Sequence, residues 1–131
     1  MHPKKFTKQL THDALVEAIR KAENQTSGQI RVFISHKAVA DAVVAAQKEF
    51  LRQNLGHSTE RNNVLIFVAP RSHQFAVIGD AGVHAKCGEA FWQELAKAMT
   101  DYFHKSQFTK GIIHGVERAG ELLAAHFPRP K

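Results

Sequence analysis

The sequence predicts an α/β sandwich: a small mixed sheet, its first two strands parallel and its third antiparallel, flanked by about four helices. Three observations carry this. Residues 64–69, Val-Leu-Ile-Phe-Val-Ala, are apolar at both parities, as a strand covered on both faces must be. An alternating run with Ile30, Val32 and Ile34 precedes it, with a helical pattern between, so the two strands are joined by a right-handed crossover. The turn Pro70-Arg71-Ser72-His73 then separates residues 64–69 from a second apolar run over 75–78, a connection so short that the chain must reverse.

The remaining elements follow in chain order. Leu10, Ala14, Leu15, Ala18, Ile19 and Ala22 recur at helical spacing after Thr11, an N-cap type, and the pattern stops at Thr26-Ser27-Gly28. Residues 30–34 alternate as a strand whose Phe33 also requires apolar cover. From 39 to about 54, Val39, Ala42, Val43, Ala46 and Phe50 predict a second helix ending near Gly56. Phe91, Leu95, Ala98, Met99, Tyr102 and Phe103 share one face of a third helix. Thr109 is placed as the cap of a fourth, with Ile112, Ile113, Val116, Ala119, Leu123 and Phe127 inward until Pro128 forbids continuation.

A chain of 131 residues with 44% apolar content suits one domain with its own core. The divisions read from composition are a basic N-terminal arm over 1–10, a single domain over 11–128 and a basic tail over 129–131. The net charge is +6, but Lys4, Lys5, Lys8, Arg129 and Lys131 lie at the two ends, so the body is close to neutral. No aromatic-basic pattern of an RNA-binding sheet appears, so specific nucleic-acid binding is not expected. The lone Cys87 closes no internal disulfide, and no apolar run has the roughly 20 residues that a bilayer requires. With no signal-peptide pattern either, a cytoplasmic location is the expectation.

Several spaced motifs run in order through the chain: Ala22-Glu23-x-x-Thr26-Ser27-Gly28-x-Ile30-x-Val32, Asn63-Val64-Leu65-Ile66, Ile78-Gly79-Asp80-Ala81-Gly82-Val83-His84, Phe91-Trp92, Gly111-Ile112 and His126-Phe127-Pro128. This pattern resembles the TPM domain family, in particular its short bacterial branch. The resemblance implies a soluble domain linked to acid phosphatase activity, calcium binding, or assembly and repair of membrane complexes. The chain departs from the family pattern at Gln29, where many relatives have an acidic residue, at Asn62-Asn63, where they often have Asn-Gly, and around His73 and Gln74, where an arginine is common, which weakens any carry-over of phosphatase or metal chemistry.

The topology sorts the polar residues by edge of the sheet. Glu23, Ser27, Glu60, Asn62, Asn63 and Asp80 gather where strands one and two begin and strand three ends. A hard cation takes carboxylate and carbonyl oxygens, so Asp80, Asn62, Asn63 and Glu60 are candidate ligands for calcium or magnesium. The competing reading makes Asp80 a cap for a following helical turn and the asparagines turn residues. The opposite edge collects His36, Lys37, Arg71, His73, His104, Lys105 and Lys110, candidates for an anion or an acidic protein partner, or else solvated loop tips.

Other chemistries fail on spacing. His84 and Cys87 form an isolated H-x-x-C with no second pair, no serine sits in a G-x-S-x-G elbow, and Trp92 reads as a core or interface anchor. Two functions stay open: an interaction or assembly module tuned by a divalent cation, and a metal-dependent phosphomonoester hydrolase.

Overall fold

The computed structural model describes residues 12–53, 62–105 and 107–128. Its elements in order are α1 (His12–Glu23), β1 (Ile30–Ile34), α2 (Ala42–Arg52), β2 (Val64–Ala69), a 3-10 turn (Pro70–Ser72), β3 (Gln74–Gly79), α3 (Ala81–Cys87), α4 (Glu89–His104) and α5 (Phe108–His126). The sheet order is β1-β2-β3. Ile30 pairs with Val64 in the parallel half, and Val64 with Gly79 in the antiparallel half. The mixed sheet, parallel between β1 and β2 and antiparallel between β2 and β3, is therefore as the sequence predicts.

Every residue of β2 is buried, and parity divides its side chains between two cores. Val64, Ile66 and Val68 enter the larger one, with Ile30, Leu95, Met99, Val116 and Leu123. Leu65, Phe67 and Ala69 enter the smaller one, which Ala42, Ala46 and Phe50 of α2 cover. Phe33 finds its cover there, stacked on Phe67 with ring centroids 5.5 Å apart. So α1, α4 and α5 share one face of the sheet, and among the described helices α2 packs on the other, over β2 and β3.

The four long helices are present as expected, and the chain from Ala81 adds a short fifth, α3, among the described residues. Two expectations are corrected. The second helix starts at Ala42 and not Val39, because the carboxylate of Asp41 accepts from the Val43 and Val44 amides at 2.9 and 3.3 Å and fixes the cap there. Thr109 is not a cap: α5 begins at Phe108, with Gln107 at the cap position and no side-chain cap bond. Thr11, Gly56 and Glu60 lie outside the described residues, as do the side chains of His84, Cys87 and Phe91.

Candidate functional site

The edge where β1 and β2 begin is held together by backbone amides finding side-chain oxygens. The turn after α1 must reach β1 within six residues, and Thr26 anchors it: its hydroxyl donates to the Phe127 carbonyl at 2.5 Å and accepts from Gly28 N–H at 3.1 Å. Ser27 N–H also donates to Phe127 O, at 3.1 Å, which fastens the end of α5 to the turn. Gly28 is required for space. A Cβ there would lie 2.4 Å from the Asn62 carbonyl oxygen.

Glu23, the last residue of α1, accepts from Ile30 N–H at 2.7 Å. Asn63 Oδ1 accepts from Gln29 N–H at 3.2 Å, and its carbonyl accepts from Asp80 N–H at 2.9 Å. Asn62 is 2% exposed, and its Nδ2 donates to Ser27 Oγ at 2.9 Å. The structure thus brings Glu23, Ser27, Asn62, Asn63 and Asp80 to one edge, and the asparagines serve as turn supports there.

Asp80 differs from its neighbours. It is 5% exposed, and Oδ1 accepts from Ala81 N–H at 2.8 Å, the capping role. Oδ2 is buried with no hydrogen-bond partner among the described residues. The indole of Trp92 packs on the preceding residue, so near Gly79 that a Cβ there would be 2.8 Å from Cζ2. The resemblance implies a divalent cation, and an orphaned anionic oxygen is the kind of donor such an ion takes. No three His, Cys, Asp or Glu side chains gather as a metal site among the described residues. The structure offers such an ion one buried carboxylate oxygen and not a cage of carboxylates among the described residues.

The other edge is built differently. Val39 N–H donates to Ser72 Oγ at 2.7 Å and Ala42 N–H to Gln74 Oε1 at 2.8 Å, which tie the segment after β1 to the β2–β3 hairpin. Phe75 meets Phe103 edge-to-face at 5.2 Å and brings the last turn of α4 to the same end. His36, Lys37, Arg71, His73, His104, Lys105 and Lys110 therefore all lie at this end, and all are exposed. His73 takes a left-handed conformation, φ 52°, one that histidine tolerates better than most residues, and its amide closes the turn onto Pro70 O at 3.1 Å. Two shallow clefts of about 190 and 180 Å³ lie against α5 and include none of the residues of either edge.

Sequence reasoning missed three participants. Asp41 carries the ordinary signal of an acidic residue ahead of an apolar helical run. Gln74, which caps α2 from another strand, carries none. Glu49 is buried in α2 and paired with Arg52, and its carboxyl is held below the ordinary glutamate range by hydrogen bonds from Arg52 and Gln53 that outweigh desolvation.

These features define a small α/β sandwich with one carboxylate buried at an amide-rich edge of its sheet. The chain belongs to the TPM domain family, whose model matches residues 4–122. Among solved structures it is similar to the BA42 protein of the psychrophilic bacterium Bizionia argentinensis, at 34% identity and a TM-score of 0.84, over 93% of this chain and 86% of that one. The fold alone is shared with the N-terminal domain of a P. gingivalis protein, at 12% identity, TM-score 0.68, and 91% and 78% of the two chains. It is likewise shared with the N-terminal domain of the cg2496 protein of Corynebacterium glutamicum, at 15% identity, TM-score 0.62, and 83% and 68% coverage. The comparison with curated proteins gives no match. No helix among the described residues is long and apolar enough to cross a membrane.

Proposed function

We propose that this TPM-domain protein is a binding module for a partner protein, and that a divalent cation at Asp80 tunes it. The observation that carries the cation reading is the buried Oδ2 of Asp80, which has no hydrogen-bond partner among the described residues. A buried carboxylate oxygen left unpaired costs stability, and a hard cation offsets that cost by direct coordination. With a single anionic ligand the affinity falls in the weak range, a Kd of about 10⁻⁴ to 10⁻³ M. The hydrolase reading has no observation of its own and is not taken further.

Titration of the labelled protein with calcium and then magnesium chloride, followed by amide NMR, tests this. The amides of Asn63, Gly79, Asp80 and Ala81 should shift saturably, and Asp80→Asn should abolish the response while the Oδ1 cap to Ala81 persists. An unchanged spectrum at about 10 mM cation, well above the weak-site range, or an equal response in the variant, would refute the proposal.

A further inference from the structure

The partner class can be read from β1. In a parallel ladder one strand directs the amide and carbonyl of alternate residues toward its neighbour and the rest outward. Val64 N–H donates to Gln29 O at 2.9 Å and Ser35 N–H to Val68 O at 2.8 Å, so residues 29, 31, 33 and 35 serve β2. Ile30, Val32 and Ile34 therefore face outward. Glu23 caps the Ile30 amide at 2.7 Å and stops the edge at that end. Beyond it, the outward groups of Val32 and Ile34 have no hydrogen bond among the described residues. One helix does not span three strands: α2 packs mainly on β2 and β3, so on that side of β1 Arg31 is exposed and Phe33, stacked on Phe67, is only half-buried.

The charge beside this edge is uncompensated. Arg31 and Lys48 are exposed and enter no ion pair among the described residues. The nearby carboxylates are already engaged, Glu23 on Ile30 N–H and Glu49 on Arg52. Arg52 lies 6.0 Å from the Phe33 ring centroid, and Lys48 is one turn before it on the same helix.

We propose that the β1 edge is a docking site for an extended segment of a partner protein, which adds as a fourth strand. Only extended polypeptide matches an open ladder, and its alternate side chains fall on opposite faces. Those beside Arg31 and Phe33 should be acidic, and those beside Val32 and Ile34 aliphatic. The inference rests on the binding-module reading but not on the cation. A second copy of this chain matches less well: antiparallel pairing of β1 with itself about Val32 sets Arg31 opposite Phe33 and brings no carboxylate to either arginine.

The test uses two short acetylated and amidated peptides, one alternating glutamate with valine and the other lysine with valine, titrated into the labelled protein. The glutamate peptide should shift the amides of residues 31–35 and slow hydrogen exchange at Val32 and Ile34; the lysine peptide should do neither. Val32→Pro removes an amide that β2 does not use, so circular dichroism should be retained and binding lost. Arg31→Glu, which leaves the ladder intact, should weaken the glutamate peptide about two- to five-fold, the range of one exposed ion pair. Equal binding of both peptides, shifts confined to the basic end, or exchange at Val32 and Ile34 already slow in the free protein would each overturn the proposal. So would concentration-dependent self-association through β1. A calcium response at Asp80 that survives such a result would leave the cation reading standing.

Discussion

Gly28→Ala isolates the close approach on which the amide-rich edge depends. The backbone there is not left-handed, since the positive-φ glycine among the described residues is Gly88, so alanine has no conformational penalty and the cost is space. The added methyl would meet the Asn62 carbonyl oxygen at 2.4 Å and Leu123 Cδ1 at 3.2 Å. The first contact is about 1 Å inside an ordinary heavy-atom separation. That oxygen belongs to backbone and cannot rotate away. Its segment is fastened by the Val64–Gln29 and Asn63–Gln29 bonds, at 2.9 and 3.2 Å, so relief must stretch one or both. Overpacking of this kind costs about 1–3 kcal/mol. The reduced freedom of the unfolded chain returns about 0.4–1 kcal/mol. The two ranges leave a net loss of about 0–2.6 kcal/mol, and a contact this short against fixed backbone puts the expectation in the upper part, about 1–2.6 kcal/mol. Urea denaturation with an unchanged m-value measures it, and the amides of Gln29, Asn63 and Asp80 should shift together. Gly88→Ala is the complement: nothing lies within 4 Å of its Cβ position, but φ is +76°, so any loss there comes from backbone strain alone. A Gly28→Ala protein as stable as the parent would refute the packing account.

Three further outcomes are expected. Ile66→Ala, fully buried against Met99 and Gly115, should cost about 2–5 kcal/mol in urea melts, and Leu65→Ala should fall lower in that range because its side is closed, among the described helices, by α2, which can settle into the gap. Glu49 has a depressed carboxyl, so its contribution is present above the ordinary glutamate pKa of about 4.3 and is lost as pH falls through the lower folded value. Because Arg52 is exposed, Glu49→Gln should remove no more than about 1 kcal/mol, and it should flatten the stability profile below about pH 4.3. Asp80→Asn should leave cation-free protein as stable as the parent or about 1 kcal/mol more so. It should also abolish a calcium-dependent gain of about 1.4 kcal/mol at ten times Kd, read by thermal unfolding.

Much of the fold was legible because its strongest signal is periodicity. The two-parity run of β2 means burial on both faces, and the structure distributes those side chains accordingly. Helix starts were less legible. Val39 fits the apolar pattern of α2, yet its amide is taken by Ser72, thirty-three residues away, so the helix begins at Ala42. Thr109 is a good cap type that the tertiary structure passes over in favour of Gln107. Caps depend on where neighbouring elements place acceptors, and a linear pattern does not carry that.

The edges were legible as groupings, because strand direction alone decides which loops meet. What each side chain does there was not. Asn63 reads as a turn residue, but through Oδ1 and its carbonyl it holds Gln29 and Asp80 at once and joins the starts of β1 and β2 to the end of β3. For Asp80 the sequence offers cap or ligand as alternatives. Capping engages Oδ1, bound to Ala81 N–H at 2.8 Å, and leaves Oδ2 buried without a partner among the described residues. An unmet buried acceptor costs about 1–3 kcal/mol, more when charged, whereas an N-cap contributes only about 1 kcal/mol. Capping by itself therefore does not repay the burial of this carboxylate. An asparagine would cap as well without burying an unpaired charge, which is why Asp80→Asn separates the two roles.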